Sequence, residues 1–316
     1  MTTKGTIDSN ALDLAVAAHP RAADAITYGA VHLDVVDGAR SLALWRDQLG
    51  LTLLPGADEG LRLGAAGREL VVLHPGAARP QLRGHAGLYH VAIHLPDERE
   101  FARVLARLAR NRVPQAPTDH VFSKATYLSD PDGIGIELTV ETPERFDGFE
   151  IGPSTIVIRD REGRSRAATE ALDVAEALSH LQEGDDLDRP LPEGTTVGHV
   201  HLHVGDLEQA RRFYRDLIGF EDHMFMPGIG MADLSAGGTF PHRLALNVWQ
   251  GRGVSPPPAG TAGLQHIKLR VAGAALAEIA ARLAAAGVEH QYAGGLVTTH
   301  DPAGNAVRIR GSGAAV

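Results

Sequence analysis

Sixteen of the 316 residues are histidine and none is cysteine. That excludes thiol nucleophiles, disulfides, zinc–thiolate sites and iron–sulfur clusters together. Any metal chemistry must therefore use imidazole, carboxylate and water. The histidines sit in patterned places. In HVHLHV, His199, His201 and His203 occupy one face of an alternating run, and Val200, Leu202 and Val204 the other. His32 lies in AVHLDVV, His90 and His94 in GLYHVAIHLP, and His266 in GLQHIKLRV. Neutral imidazole is a common ligand for divalent metals, and a pKa of about 6.5 also suits it to proton transfer at neutral pH.

The elements carrying these residues repeat. AVHLDVVDGARSLALWRDQLGL from Ala30 matches HVHLHVGDLEQARRFYRDLIGF from His199, aligning His32 with His201 and Gly50 with Gly219. GLYHVAIHLP matches GLQHIKLRV, and DPDGIGIEL from Asp130 matches DPAGNAVRI from Asp301. The two halves are thus related, and each splits again. Every quarter opens with an alternating strand, continues into a helix and ends in short strand-like runs, a β-α-β-β-β order. The helix expected over Leu207 to Leu217 stops at Gly219, a C-cap glycine. Residues 1–25 read as an N-terminal extension, 26–145 as a first two-module domain, 146–195 as a structured linker and 196–316 as a second two-module domain. The linker is expected to hold a helix near Thr169 to Leu181, followed by the turn-rich RPLPEGT.

Composition bounds the rest. With 44% hydrophobic and 22% charged residues, the chain can bury a core. A net charge of −9 argues against a nucleic-acid partner, which needs a basic face. The N-terminal apolar run is broken by Asp13 and is too short for a signal peptide or membrane span. A cytoplasmic enzyme with a small-molecule substrate and no membrane partner is the expectation, with homo-oligomerisation left open.

Four βαβββ modules, strands opening on histidine and the DPDGxxIEL signature resemble the vicinal oxygen chelate superfamily of glyoxalases, bleomycin and fosfomycin resistance proteins and extradiol dioxygenases. The resemblance covers about residues 26–145 and 196–312. It implies an α+β fold of four βαβββ modules in two homologous domains, paired into open cup-shaped barrels, each able to hold a divalent metal. Family ligands come from a His on a module's first strand and a Glu on its last. Carried onto this chain, those positions give Ala30 and no Glu in module one, and His90 and Glu137 in module two. Module three gives His199, with Asn247 at the last-strand position, and module four gives His266 and Arg308. A guanidinium cannot ligate a cation.

Pairing modules one and two leaves Ala30, His90 and Glu137. Pairing three and four gives His199, His266 and Arg308, and one with four gives Ala30, His266 and Arg308. Pairing two with three completes His90, Glu137 and His199, the two-histidine, one-carboxylate set of non-heme Fe(II) oxygenases, with Mn(II) accepted by the same ligands. The resemblance is closest to two-domain catechol 2,3-dioxygenase-like proteins. It implies His242 as acid–base catalyst, and His120 and Tyr127 as partners of the catecholate, with O2 as co-substrate. The His120–Tyr127 spacing is two residues shorter than that family pattern. A glyoxalase-type isomerase or lyase, and a ligand-sequestering resistance protein, are the alternatives. Lys268, Arg270, Arg308 and Arg310 are expected to form a solvated basic face, and His32, His94, His201 and His203 to make ordinary hydrogen bonds.

Overall fold

A computed structural model describes residues 24–56, 60–152 and 155–312. The expected N-terminal extension therefore lies, up to residue 23, outside the described residues. Module one comprises β1 (Ile26–Val35), α1 (Gly38–Trp45), β2 (Thr52–Leu53), β3 (Leu61–Ala65) and β4 (Arg68–Pro75). Module two comprises β5 (Gly87–His94), α2 (Glu98–Arg110), β6 (Ala116–Asp119), β7 (Ser123–Ser129) and β8 (Gly135–Glu141). The linker contributes β9 (Phe146–Ile151), β10 (Ile156–Asp160), β11 (Ser165–Ala167), β12 (Glu170–Ala171) and α3 (Val174–Leu178). Module three follows with β13 (Thr196–His203), α4 (Leu207–Arg212), β14 (Glu221–Met226), β15 (Met231–Ser235) and β16 (Leu244–Asn247). Module four has β17 (Gly263–Ala272), α5 (Gly273–Ala285), β18 (His290–Ala293), β19 (Leu296–His300) and β20 (Ala306–Ser312).

Local chemistry explains the repeated order. Asp37, Asp97 and Asp206 cap α1, α2 and α4, each carboxylate accepting backbone N–H groups of the first turn. The two Asp-Pro turns are built alike. Asp130 Oδ1 accepts from the amides of Asp132 and Ile134, and Asp301 Oδ1 from those of Ala303 and Asn305.

The strands form two large open sheets. Modules one and four share the order β18-β19-β20-β17-β1-β4-β3-β2, and modules two and three share β12-β6-β7-β8-β5-β13-β16-β15-β14. Each sheet thus joins the first half to the second. The seams are antiparallel: β1 on β17, with His32 opposite His266, and β5 on β13, with His90 opposite His201. Apolar residues of both sheets form one continuous core, including Val31, Leu33, Val91, Ile93, Val200 and Leu202.

The linker departs from expectation. Its helix is confined to Val174–Leu178, shorter than the Thr169–Leu181 span read from the sequence. Ahead of it, β9, β10 and β11 pair into a separate three-stranded sheet. The alternating apolar residues Ile156 and Ile158 pack there with Val121, Phe146 and Phe149 in a small core of their own. The helix from Leu207 also differs: it is α-helical to Arg212 and π-helical over Phe213–Ile218, ending at Gly219 with φ 108°. Two fully buried arginines of α2 clip residues 187–190, which follow α3, to that helix. Arg103 binds Glu100 and the carbonyls of Arg189 and Pro190, and Arg107 binds those of Leu49, Leu187 and Arg189. No helix among the described residues is long and apolar enough to cross a membrane.

Candidate metal centre and active site

Three polar atoms meet on the concave face of the sheet shared by modules two and three. Ala92 is the hub. Its neighbour on the parallel strand β8 is Glu137, and its neighbour on the antiparallel strand β13 is His199. His90 lies two residues back on β5 and so shares the face. A methyl at position 92 leaves the space above it to the three longer side chains. Glu137 Oε2 is 3.1 Å from His90 Nε2 and 2.9 Å from His199 Nε2, and the two nitrogens are 3.2 Å apart. All three residues are buried, at 4%, 2% and 2% exposure for His90, Glu137 and His199.

These atoms fit a metal better than they fit one another. Glu137 Oε2 makes no hydrogen bond, despite two imidazole nitrogens beside it. The edges of 2.9–3.2 Å bring three ligand atoms close enough to share one cation. Burial pushes the His199 pKa well below its ordinary value, against the pull of Glu137, so its ring is neutral. A neutral imidazole is the form that ligates. Another group, Glu98, Glu176 and His180, also lies close together, but Lys124 Nζ already occupies it, bonded to both carboxylates.

A chain of hydrogen bonds fixes which nitrogen of His199 faces the triad. Glu141 is ionised, its pKa brought to about 2 by His94 and Arg243 against the upward push of burial. It must accept from His94 Nδ1, 3.0 Å away. Burial keeps His94 neutral, so its Nε2 is an acceptor, and it lies 2.9 Å from His199 Nδ1. His199 therefore carries its proton on Nδ1 and turns the Nε2 lone pair to Glu137 and His90. Glu141 continues to Arg243 Nη1 at 2.9 Å, and Arg243 pairs with Asp24. Gly198 makes room for this chain. The β13 register slips there, and a Cβ at 198 would lie 2.0 Å from the His94 ring.

A cavity of about 520 Å³ opens over the triad. On one side stand His120 and Tyr127. His120 Nδ1 donates to the carbonyl of Ala168 at 2.7 Å, and its Nε2 is 2.9 Å from the Tyr127 hydroxyl. Burial, then the Glu137 charge, pushes the Tyr127 pKa well above its ordinary value, so the phenol keeps its proton. On the other side His242 stacks edge-on to His199, with ring centroids 4.3 Å apart. Its Nδ1 is 2.9 Å from Asp233 Oδ1, and His223 grips the other carboxylate oxygen. Burial would lower the His242 pKa, but the Asp233 charge overrides it and the value is raised.

The residues singled out from the sequence thus converge: His90, Glu137, His199, His120, Tyr127 and His242 all line one cavity. One correspondence is corrected. Glu137 lies opposite the residue two beyond His90, and the residue opposite the one two beyond His199 is Ala245, not Asn247. Asn247 is one alternate slot further along, where it donates to His201 Nε2 and accepts from His203 Nδ1. A two-residue slip keeps the same face of a strand, so periodicity does not reveal it. In the other sheet, His266 stacks on His32 at 4.0 Å between ring centroids, and His32 bonds His74. Burial and the nearby Arg308 and Lys268 charges lower the His266 pKa to about 3. Sequence reasoning missed the supporting roles of His94, Glu141 and Asp233. His94 was visible four residues after His90 on the same strand face, but its partner lies on β13.

A family model for the Glyoxalase/Bleomycin resistance protein/Dioxygenase superfamily matches residues 28–138 and 196–309. The chain belongs to this superfamily. It is 36% identical over 230 residues to the Catechol-2,3-dioxygenase of Bacillus subtilis (strain 168), covering 72% of this chain and 76% of that protein. The crystal structure of glyoxalase I from Zea mays has the same fold, with a TM-score of 0.54 at 16% identity, over 91% of this chain and 93% of the maize chain. The modules of this superfamily member are arranged first with fourth and second with third, as its two sheets are ordered.

Proposed function

We propose that the chain is an extradiol ring-cleaving dioxygenase of the catechol 2,3 type, using a divalent iron held by His90, Glu137 and His199. The observation that carries this reading is the triangle of three buried atoms, 2.9–3.2 Å on a side, with Glu137 Oε2 lacking a hydrogen bond. Similarity to the B. subtilis catechol dioxygenase supports it. Bound Fe(II), or Mn(II) in the same ligand set, supplies open positions where a ring diol and O2 come together.

The remaining chemistry falls to the chain's own side chains. Tyr127, still protonated, donates its one proton to His120 Nε2, so its oxygen can accept from a substrate hydroxyl while His120 fixes the phenol from behind. His242, held by Asp233, keeps or gives a proton on the opposite side of the cavity. The reaction breaks one ring carbon–carbon bond, adds both atoms of O2 and needs no outside reductant. A glyoxalase-type isomerase of this superfamily usually uses a second glutamate ligand, and Ala245 occupies the register position equivalent to Glu137.

The test is anaerobic Fe(II) loading, then O2 uptake and absorbance over a catechol panel. One O2 consumed per ring, with a yellow product, is expected. Isomerisation of a thiohemiacetal without O2 uptake would overturn the reading.

A further inference from the structure

Resting on the ring-cleaving reading above, we infer that the substrate is a catechol carrying an uncharged apolar substituent, and that the linker's three-stranded sheet selects it. The cavity is polar at its floor and apolar at its outer wall. That wall is formed by Phe122, Phe149, Ile156, Ile158, Met224 and Met231. Among the described residues, no Lys or Arg lines it. A volume of about 520 Å³ lies well inside the range of about 300–1,000 Å³ that holds drug-sized ligands, and exceeds what a bare ring diol fills.

Half of the wall comes from outside the βαβββ pattern. Phe149 sits on β9, and Ile156 and Ile158 occupy alternate positions on β10. The same sheet and its neighbours fix the catalytic side. Ala168, just after β11, holds His120 through its carbonyl, and Phe122 follows His120 by two residues. Arginines on and beside this sheet are paired elsewhere: Arg159 with Glu150, Arg164 with Asp160, Arg166 with Glu170 and Arg145 with Asp119. A ring carboxylate placed against this wall would lose its hydration and find no counter-charge. An alkyl or aryl group would instead bury apolar surface against six apolar side chains.

The test compares 4-tert-butylcatechol with 3,4-dihydroxybenzoate, using bare catechol as the common reference. In the iron-loaded enzyme, kcat/KM for tert-butylcatechol should exceed that for the carboxylate by at least about 10-fold. Ile156→Lys places a cation in the wall and should reduce that ratio at least about 10-fold. Phe149→Ala, should the lysine variant not fold, should lower kcat/KM for tert-butylcatechol more than for catechol. The binding arm needs no metal. Trp249 lines the cavity, and the only other tryptophan, Trp45, is buried under the first module. Quenching of Trp249 fluorescence in metal-free protein should occur with tert-butylcatechol at concentrations where dihydroxybenzoate has no effect. Such selective quenching without turnover of any catechol would uphold the apolar site and sink the ring-cleaving reading instead. Equal or better use of dihydroxybenzoate by the parent enzyme, or a ratio unmoved in folded Ile156→Lys, would overturn the inference.

Discussion

Replacing His94 by phenylalanine tests the hydrogen-bond chain behind the triad. The ring keeps its approximate shape beside Phe240, which meets His94 edge-on at 5.4 Å between centroids. What disappears is the acceptor 2.9 Å from His199 Nδ1. A buried N–H left without a partner costs about 1–3 kcal/mol, and His199 can escape that cost only by turning away from Glu137. Loss of such a supporting residue typically lowers metal affinity about 10–100-fold, or about 1.4–2.7 kcal/mol. The effect should stop there, because Glu141 keeps its bond to Arg243 at 2.9 Å. His94→Gln returns an amide acceptor and should recover most of the affinity. Gly198→Ala reaches the same bond from the backbone by pushing a Cβ into the His94 ring. The assay is anaerobic Fe(II) competition against a coloured chelator, with denaturant unfolding to confirm a folded protein. His203→Phe is the control, since His203 bonds Asn247 and not the triad. A folded His94→Phe protein binding iron as tightly as the parent, or a glutamine variant as weak as the phenylalanine one, would refute the reasoning.

Other perturbations separate the two cups and the core. Glu137→Ala and His199→Ala should each abolish iron binding, whereas His266→Ala should leave the iron content unchanged by metal analysis. His242→Phe should retain iron and lower kcat about 10²–10⁴-fold, the usual worth of a general acid–base group. Arg103→Ala should destabilise the fold by about 3 kcal/mol in urea unfolding. This is the low end for breaking a buried pair, because Glu100 keeps Arg189. Burial raises the Asp130 pKa from 3.8 to about 6. Its proton is therefore held more tightly in the folded state. The stability this confers is full below pH 3.8 and is lost as pH rises through about 6, amounting to about 3 kcal/mol. Asp130→Asn should remove that slope from the pH dependence of the unfolding free energy.

Local rules made much of this architecture legible. The DPDG and DPAG turns repeat because one aspartate closes each with the same two amides. The helix starts repeat because Asp37, Asp97 and Asp206 cap them. His90, Glu137 and His199 are readable because each sits at a fixed place in a repeated module, and Ala30 and Arg308 at ligand positions exclude the competing pairs. What escaped was non-local. The His94–His199 bond crosses the seam between β5 and β13, and Asp233 meets His242 only through the fold of module three. Asn247 was mistaken for Ala245 because both point to the same side of β16. The linker sheet was missed because Ile156 and Ile158 have their apolar partners at Val121 and Phe146, not within their own segment.

The triad shared by modules two and three should open a catechol ring with O2. Mass spectrometry of the product formed by iron-loaded enzyme under ¹⁸O2 tests it most directly. Both labelled atoms in a ring-opened product, and no product from Glu137→Ala, is the expected result. A product without label, or turnover that survives Glu137→Ala, would contradict it.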